Sequence, residues 1–280
     1  DPAGLPANLD RVAAPDPGVI LDLEAGEPAA LRRWSEFLTA ALENDSEDRN
    51  RPDKPGTSRM SAHLKFGTIH PRTMVKGLNI RETGAGAYLR ELAFRDFYAE
   101  VLNQWPRSAW WNWNANFDTI DVDTDASAEK RFEAWKQGRT GYPIVDAGMR
   151  ELAGSGFMHN RVRMIVASFL VKDLHLPWQW GARWFLDQLV DGDMANNQHG
   201  WQWCAGSGTD AAPYFRVFNP TAQGEKFDPA GDYVRRWVPE LADVADVHKL
   251  KGGRPPGYPE PIVDHAAERT EALARYGRIG

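Results

Sequence analysis

The stretch from Asn196 to Trp203 sets side-chain amides beside indoles: Asn196, Asn197, Gln198 and His199 directly precede Trp201-Gln202-Trp203. An amide both donates and accepts, and an indole offers a flat apolar face, so the combination suits a heteroaromatic ligand. Far upstream, Gly56-Thr57-Ser58-Arg59-Met60-Ser61 places hydroxyls, backbone N–H groups and a cation ahead of a helical turn. That set suits a phosphate, and a Thr-Ser pair there equally fits an ordinary helix N-cap. Glu91 and Arg95, four apart, share a helix face; an exposed pair of this kind is worth only ~0.3–0.5 kcal/mol, unless the face lines a site. Asn160, Arg163 and Met164 project opposite an apolar stripe of Val162, Ile165, Val166, Phe169 and Leu170. With Met158, Ala167 and Ser168 beside them, that second face is poor in charge, and reads either as a solvent face or as a surface that something covers. Asp191-Gly192-Asp193 lacks the spaced oxygen ligands and terminal Glu of a calcium loop, and no Cys/His zinc spacing, Ser-His-Asp context or P-loop glycine pattern is present. No metal site is assigned.

Helices must position these groups. Leu31, Trp34, Phe37, Leu38, Ala41 and Leu42 recur at spacings of three and four, and Tyr88, Leu89, Leu92, Val101, Leu102 and Trp105 form a second such stripe. Asn44 to Pro55 reads as a charged, proline-containing loop. Pro143 opens a third helix that Gly154 to Gly156 closes, a fourth runs from His159 to Leu174, and Pro177 starts a fifth that ends at Asp191-Gly192-Asp193. Arg254 to Pro261 is proline-rich, and a polar helix follows to Tyr276. Neither period-two alternation nor strand–helix alternation is sustained, so an all-α fold is expected, with no Rossmann-type unit. The expected division is an irregular leader over 1–29, a helical domain of one or two lobes over 30–245, and a peripheral segment over 246–280.

Composition narrows the classes. The chain has 280 residues, 42% hydrophobic and 26% charged, which excludes a disordered or fibrous protein. No apolar run approaches the ~20 residues of a membrane helix. A single cysteine, Cys204, cannot close an intramolecular disulfide and favours a reducing, cytoplasmic setting. A net charge of -6 excludes a uniformly basic nucleic-acid coat and leaves room only for a local basic patch. Twelve tryptophans exceed what one core of this size calls for, so some are candidates for stacking on a ligand. The chain opens at Asp1 with no signal-peptide pattern, and reads as a fragment.

Six segments together resemble the flavin-binding helical domain of the DNA photolyase and cryptochrome family: Thr57 to Ser61, Glu91 to Tyr98, Gly141 to Ala147, Met158 to Met164, Asp191 to Asp193, and Trp201-Gln202-Trp203. Phe218-Asn219-Pro220, Gln223 and Lys226-Phe227-Asp228 add to the likeness, which runs from about Leu31 to Leu241 and is nearest to class I cyclobutane pyrimidine dimer photolyases. Members carry an N-terminal α/β antenna domain that has no counterpart here.

The resemblance implies FAD as cofactor, UV-damaged DNA as partner, and light-driven repair of pyrimidine dimers by an electron passed from reduced FAD to a flipped-out dimer and then returned. A cryptochrome-like blue-light sensor is the alternative it implies. It further implies that Thr57, Ser58 and Ser61 hold the FAD pyrophosphate, that Arg59, Met60, Tyr88, Glu91 and Asn160 also bind the cofactor, and that Asp191, Asp193 and Asn197 face the ribityl and flavin parts, Asn197 near flavin N5, with Arg163 paired to Asp191. Arg95 would steady the adenine side of FAD and the Glu91 carboxyl. Glu91, Asn160, Met164, Trp203 and Arg216 match positions lining the dimer pocket, with Glu91 kept protonated in a dry setting to donate to a thymine edge. Phe94 would stack there, Arg161 and Arg216 would hold phosphates, and Trp201 and Trp178 match the inner electron-transfer tryptophans. A monomer is expected. Four departures stand out: Phe94 where the family usually has Trp, no tyrosine over Asn44 to Arg49, Asn196, Gln198 and His199 in place of smaller or different residues around the flavin asparagine, and Asp125 where the outer tryptophan belongs, leaving Trp110, Trp111 or Trp113 as substitutes.

Overall fold

The structure, a computed structural model, describes residues 23–79, 81–213 and 216–279. Thirteen α-helices and no strand occur among the described residues. The leader expected over 1–29 lies mostly outside them, and its last residues are already helical: α1 spans Glu27–Ala40 with a proline in its first turn, where the missing N–H costs nothing.

Short elements follow. The segment read as a loop contains α2 (Asp45–Asp48), a single acidic turn, and then come α3 (Ser61–Lys65) and α4 (Pro71–Lys76). The long α5 (Thr83–Gln104) lies across them. Ala30, Trp34, Phe37, Met74, Tyr88 and Leu92 form a small apolar core from these elements. Gly84 permits the close crossing: a Cβ there would stand 1.7 Å from the Leu42 carbonyl oxygen, so any side chain would push α2 and its neighbouring turn off α5.

A larger core is built from α6 (Ala126–Lys136), α7 (Pro143–Ser155), α8 (Asn160–Lys172), α9 (Trp178–Gln188) and α10 (Met194–Ala205). Pro143 and a left-handed Gly156 (φ 62°) bound α7 as the sequence predicts. Of these, α6 and α10 carry no clear sequence stripe. Gly181 lets α9 meet α10, since a Cβ there would fall 2.1 Å from the Trp201 ring. Beyond lie α11 (Pro220–Phe227), α12 (Asp232–Trp237) and α13 (His265–Tyr276).

The Gly141 to Ala147 motif is structural. The buried Asp146 carboxylate accepts from the Thr140 N–H and hydroxyl, the Gly141 N–H and the Tyr258 hydroxyl (2.6, 2.7, 3.0 and 2.7 Å), fastening the C-terminal segment onto α7. Segment 246–280, expected to be peripheral, also contributes Val247, Leu250 and Tyr258 to the larger core. No described helix is long and apolar enough to cross a membrane.

Candidate functional site

A cleft of two connected cavities lies between the cores. The inner one, about 300 Å³, is lined by Asp45, by Thr57 to Ser61, and by Tyr88, Arg95, Phe157 and Met158. The outer one, about 640 Å³, is lined by Phe94, Tyr98, Arg161, Met164, Asn197, Trp201 and Trp203 among others. Arg49, Glu91, Asn160, Arg163, Asp191, Asp193 and Asn196 line both and so form the shared wall.

Hydrogen bonds across the wall lock it. Asp191, whose side chain is 1% exposed, accepts from the Ser61 hydroxyl at 2.6 Å and from Arg163 Nη2 at 3.0 and 2.9 Å. Those contacts bring α3, α8 and the turn after α9 together and give Arg163 the expected partner. They also commit the Ser61 proton, so Ser61 has no hydroxyl proton left for a phosphate. Asp193 caps α10, accepting from the Asn196 N–H and side-chain amide at 2.9 and 2.7 Å.

The Thr57 to Ser61 motif is not an N-cap: α3 begins after Met60, with no side-chain capping bond. Ser58 Oγ instead bonds the Tyr88 hydroxyl at 2.8 Å, and Arg59 adopts a left-handed φ of 53°, a conformation that costs about 1 kcal/mol or more for a non-glycine residue. Its guanidinium covers the Phe157 ring at 4.7 Å. Met60, expected at the cofactor, turns its side chain into the small core and is 1% exposed. Burial pushes the Tyr88 hydroxyl well above its ordinary pKa, keeping it a neutral donor.

Glu91 departs from expectation. It pairs with Arg49 at 2.6 Å and not with Arg95, and its side chain is 43% exposed rather than dry. Arg95 points toward the Leu64 carbonyl and Asp96, both at 3.4 Å, so it does not hold Glu91.

The amide cluster divides. Gln198 and Gln202, fully buried and one turn apart, bond the backbone of Ala109, Ser108 and Trp113, which makes them scaffold rather than ligand donors. Asn197 spends its N–H groups on the Ala182 carbonyl and Gln198, leaving its carbonyl oxygen without a partner among the described residues. His199 stacks on Tyr98 at 5.3 Å, behind the outer cavity.

In the outer cavity Phe94 is 44% exposed, and Arg161 is held by Asn50 Oδ1 at 3.2 and 2.5 Å and lies over the Phe227 ring at 4.5 Å. Arg216, expected to line the pocket, lines neither cavity; it is exposed and lies over the Phe218 ring at 5.7 Å. Its charge and that of Arg49 nevertheless lower the Arg161 pKa after burial, so the three share one electropositive rim. Trp201 contacts Phe185 and Trp135 at 5.0 and 6.1 Å. Trp178 stands outside those ring pairs and gives its N–H to Asn112, next to the exposed Trp110 and Trp111.

Two site residues escaped the sequence reading: Asp45 and Arg49 lie one helical turn apart inside the supposed loop. Their i, i+4 spacing was the available signal.

Arginines, hydroxyls and N–H donors around an apolar floor of Met158, Leu92 and Phe157 fit a polyanionic ligand with a flat ring system. The family described as the FAD binding domain of DNA photolyase matches residues 88–278. The chain belongs to that family. It is 47% identical over 272 residues to the deoxyribodipyrimidine photo-lyase of Agrobacterium fabrum, covering 91% of this chain and 56% of that one. To its Escherichia coli namesake it is 43% identical over 270 residues, covering 89% and 55%. The crystal structure of a bacterial class III photolyase from Agrobacterium tumefaciens superposes with a TM-score of 0.86 at 44% identity, covering 92% of this chain and 57% of that one. A Synechocystis cryptochrome superposes with a TM-score of 0.81 at 32% identity, covering 92% and 57%. The chain thus spans about half the length of the curated relatives it matches.

Proposed function

We propose that this photolyase-family domain holds FAD in the inner cavity and a flipped-out pyrimidine dimer of UV-damaged DNA in the outer one, and repairs the dimer in light. The observation that carries this reading is the shared wall: two cavities of different chemistry meet over Arg49, Glu91, Asn160 and Arg163, so that their occupants would be neighbours.

The inner residues bind. Ser58, Tyr88, Arg59 and the Thr57 hydroxyl face the phosphate-bearing arm, while Asp191, anchored by Ser61 and Arg163, holds the wall rigid. When bound, reduced FAD supplies the photoexcited electron donor. Glu91 accepts from a pyrimidine N–H, the Asn160 amide donates to a ring carbonyl, and Arg49 brings positive charge to the wall where negative charge develops. Met164, Phe94 and Trp203 enclose the extruded bases and exclude water. Extrusion costs a few kcal/mol and least for a damaged, poorly stacked pair, a selectivity for which photolyases are themselves an established example. Arg161 and Arg216 hold phosphates at the rim. Trp201 and Trp178, with Trp110, Trp111 or Trp113 as the outer member, would supply the indoles through which a bound flavin could be reduced.

Within this reading residues 30–245 form the binding unit, 246–280 brace it, and the chain acts as a monomer in the cytoplasm. The deciding experiment is an absorption spectrum of the purified chain, followed by reduction and illumination with an oligothymidine carrying one dimer. Flavin bands with recovery of thymine absorbance are expected. Flavin without recovery favours the photosensor reading, for which the Synechocystis cryptochrome likeness speaks, and absence of flavin overturns both.

A further inference from the structure

Asp45 is the one acidic side chain of α2 facing inward. It is 4% exposed, it lines the inner cavity, and its Oδ2 is buried with no hydrogen-bond partner. Two close approaches fix it there. The Gly84 crossing brings the Leu42 turn against α5, and at Gly56 a Cβ would stand 2.6 Å from the Asp48 Cβ. These contacts hold the backbone on both sides of Asp45 against α5 and the Gly56 turn, and so keep it beside the cavity.

A buried carboxylate oxygen without a donor is costly, whereas a neutral carboxyl offers one O–H and needs one acceptor. The charged and titratable groups around Asp45 are Arg49 just past its own helix, Tyr88, Glu91 and Arg95 from α5, and, elsewhere on the cavity wall, Arg59, Lys65, Arg163, Asp191 and Asp193. Burial dominates over Arg49, Glu91 adds to it, and the carboxyl is pushed up to about 6. The hydroxyls of Ser58 and Tyr88 bond one another and Asp45 Oδ2 has no partner among the described residues, so an oxygen of a ligand seated in the cavity can serve as its acceptor.

We propose that Asp45 binds the cofactor in its protonated form, giving its carboxyl proton to an oxygen of the phosphate-bearing arm of a flavin dinucleotide, so that retention of the cofactor weakens as the carboxyl ionises. This rests on the reading of the inner cavity as the FAD site. Ionised, the same group places an unpaired negative charge beside a diphosphate; protonated, it completes the acceptor-rich arm. Linkage requires that FAD binding above the carboxyl's titration range take up a proton.

The test is equilibrium binding of FAD to the chain between pH 5 and 8, with wild type and Asp45→Asn, whose amide donates at every pH. For wild type the Kd is expected to rise about tenfold per pH unit above pH 6. The Asp45→Asn profile is expected to be flat. Titration calorimetry at pH 7 in two buffers of different ionisation enthalpy is expected to show uptake of close to one proton by wild type and none by the variant. The wild-type proton count needs no variant to fold. Equal pH profiles for both proteins, or no proton uptake by wild type, would overturn the role of Asp45 and leave the FAD site standing. Failure of wild type to bind FAD at any pH would overturn both.

Discussion

At the residue scale, Glu91 and Arg49 meet at 2.6 Å on the wall common to both cavities, so neither charge stands alone when a base arrives. Truncation of Glu91 leaves the inner cavity's hydroxyls and Arg163–Asp191 contact intact. Glu91→Ala is therefore expected to lower the repair yield about tenfold or more while flavin content falls by less than half, measured as dimers split per absorbed photon against bound flavin. Parallel loss of both would remove Glu91 from the substrate side. Neighbouring His159 caps α8 through Nδ1, and its Nε2 is buried without a partner. Burial, then Arg163, Arg161 and Arg59, bring its pKa from 6.5 down to about 4. The unfolded chain then binds the proton more readily, so this contribution is present above 6.5 and fades as pH falls toward 4. His159→Asn keeps an acceptor for the cap and cannot take up the proton; it is expected to remove about 2 kcal/mol of the stability lost between pH 7 and pH 5, read from urea unfolding at both pH values.

Among the elements, legibility followed the asymmetry of burial. The helices α1, α7, α8 and α9 each carry a stripe and their presence is plain from residue spacing, whereas along α5 the burial of Tyr88, Leu92 and Val101 is not continued to Trp105, which is exposed past the helix end. In α10, by contrast, Ala195, Gln198, His199, Trp201 and Gln202 are all buried; polar groups satisfied by the backbone of another segment erase the period on which such reading depends. For α2 a single turn of Asp-Ser-Glu-Asp has no stripe to show. Site residues were legible where they share a local motif, as in Met158 to Met164, and illegible where partners lie far apart in sequence, as Arg49 with Glu91 or Arg161 with Asn50. The glycines that permit crossings are invisible for the same reason. Gly181→Ala drives a methyl into the Trp201 indole and is expected to cost about 1–3 kcal/mol in thermal or urea unfolding, with a red shift of tryptophan emission as the ring is displaced.

Across the whole molecule, a net charge of -6 coexists with a rim of Arg49, Arg161 and Arg216. On the proposed reading, duplex DNA would be held at this rim against an overall negative charge, and its binding would be local and salt-sensitive. Arg161→Ala is expected to weaken binding to damaged and intact duplex alike and to lower the slope of log K against log salt by about 1, measured by fluorescence anisotropy from 50 to 200 mM salt. An unchanged slope would assign Arg161 to bracing Asn50 and Phe227 alone.

The cleft separates two apolar cores that are joined by α5 and by a few polar bridges such as Ser61 to Asp191 and Arg161 to Asn50. A molecule seated in the inner cavity touches both sides and acts as mortar between two stones. Cohesion of the halves then becomes a property of the filled protein: in differential scanning calorimetry, cofactor removal is expected to split one endotherm into two, and stepwise addition of FAD to fuse them while raising the lower transition first.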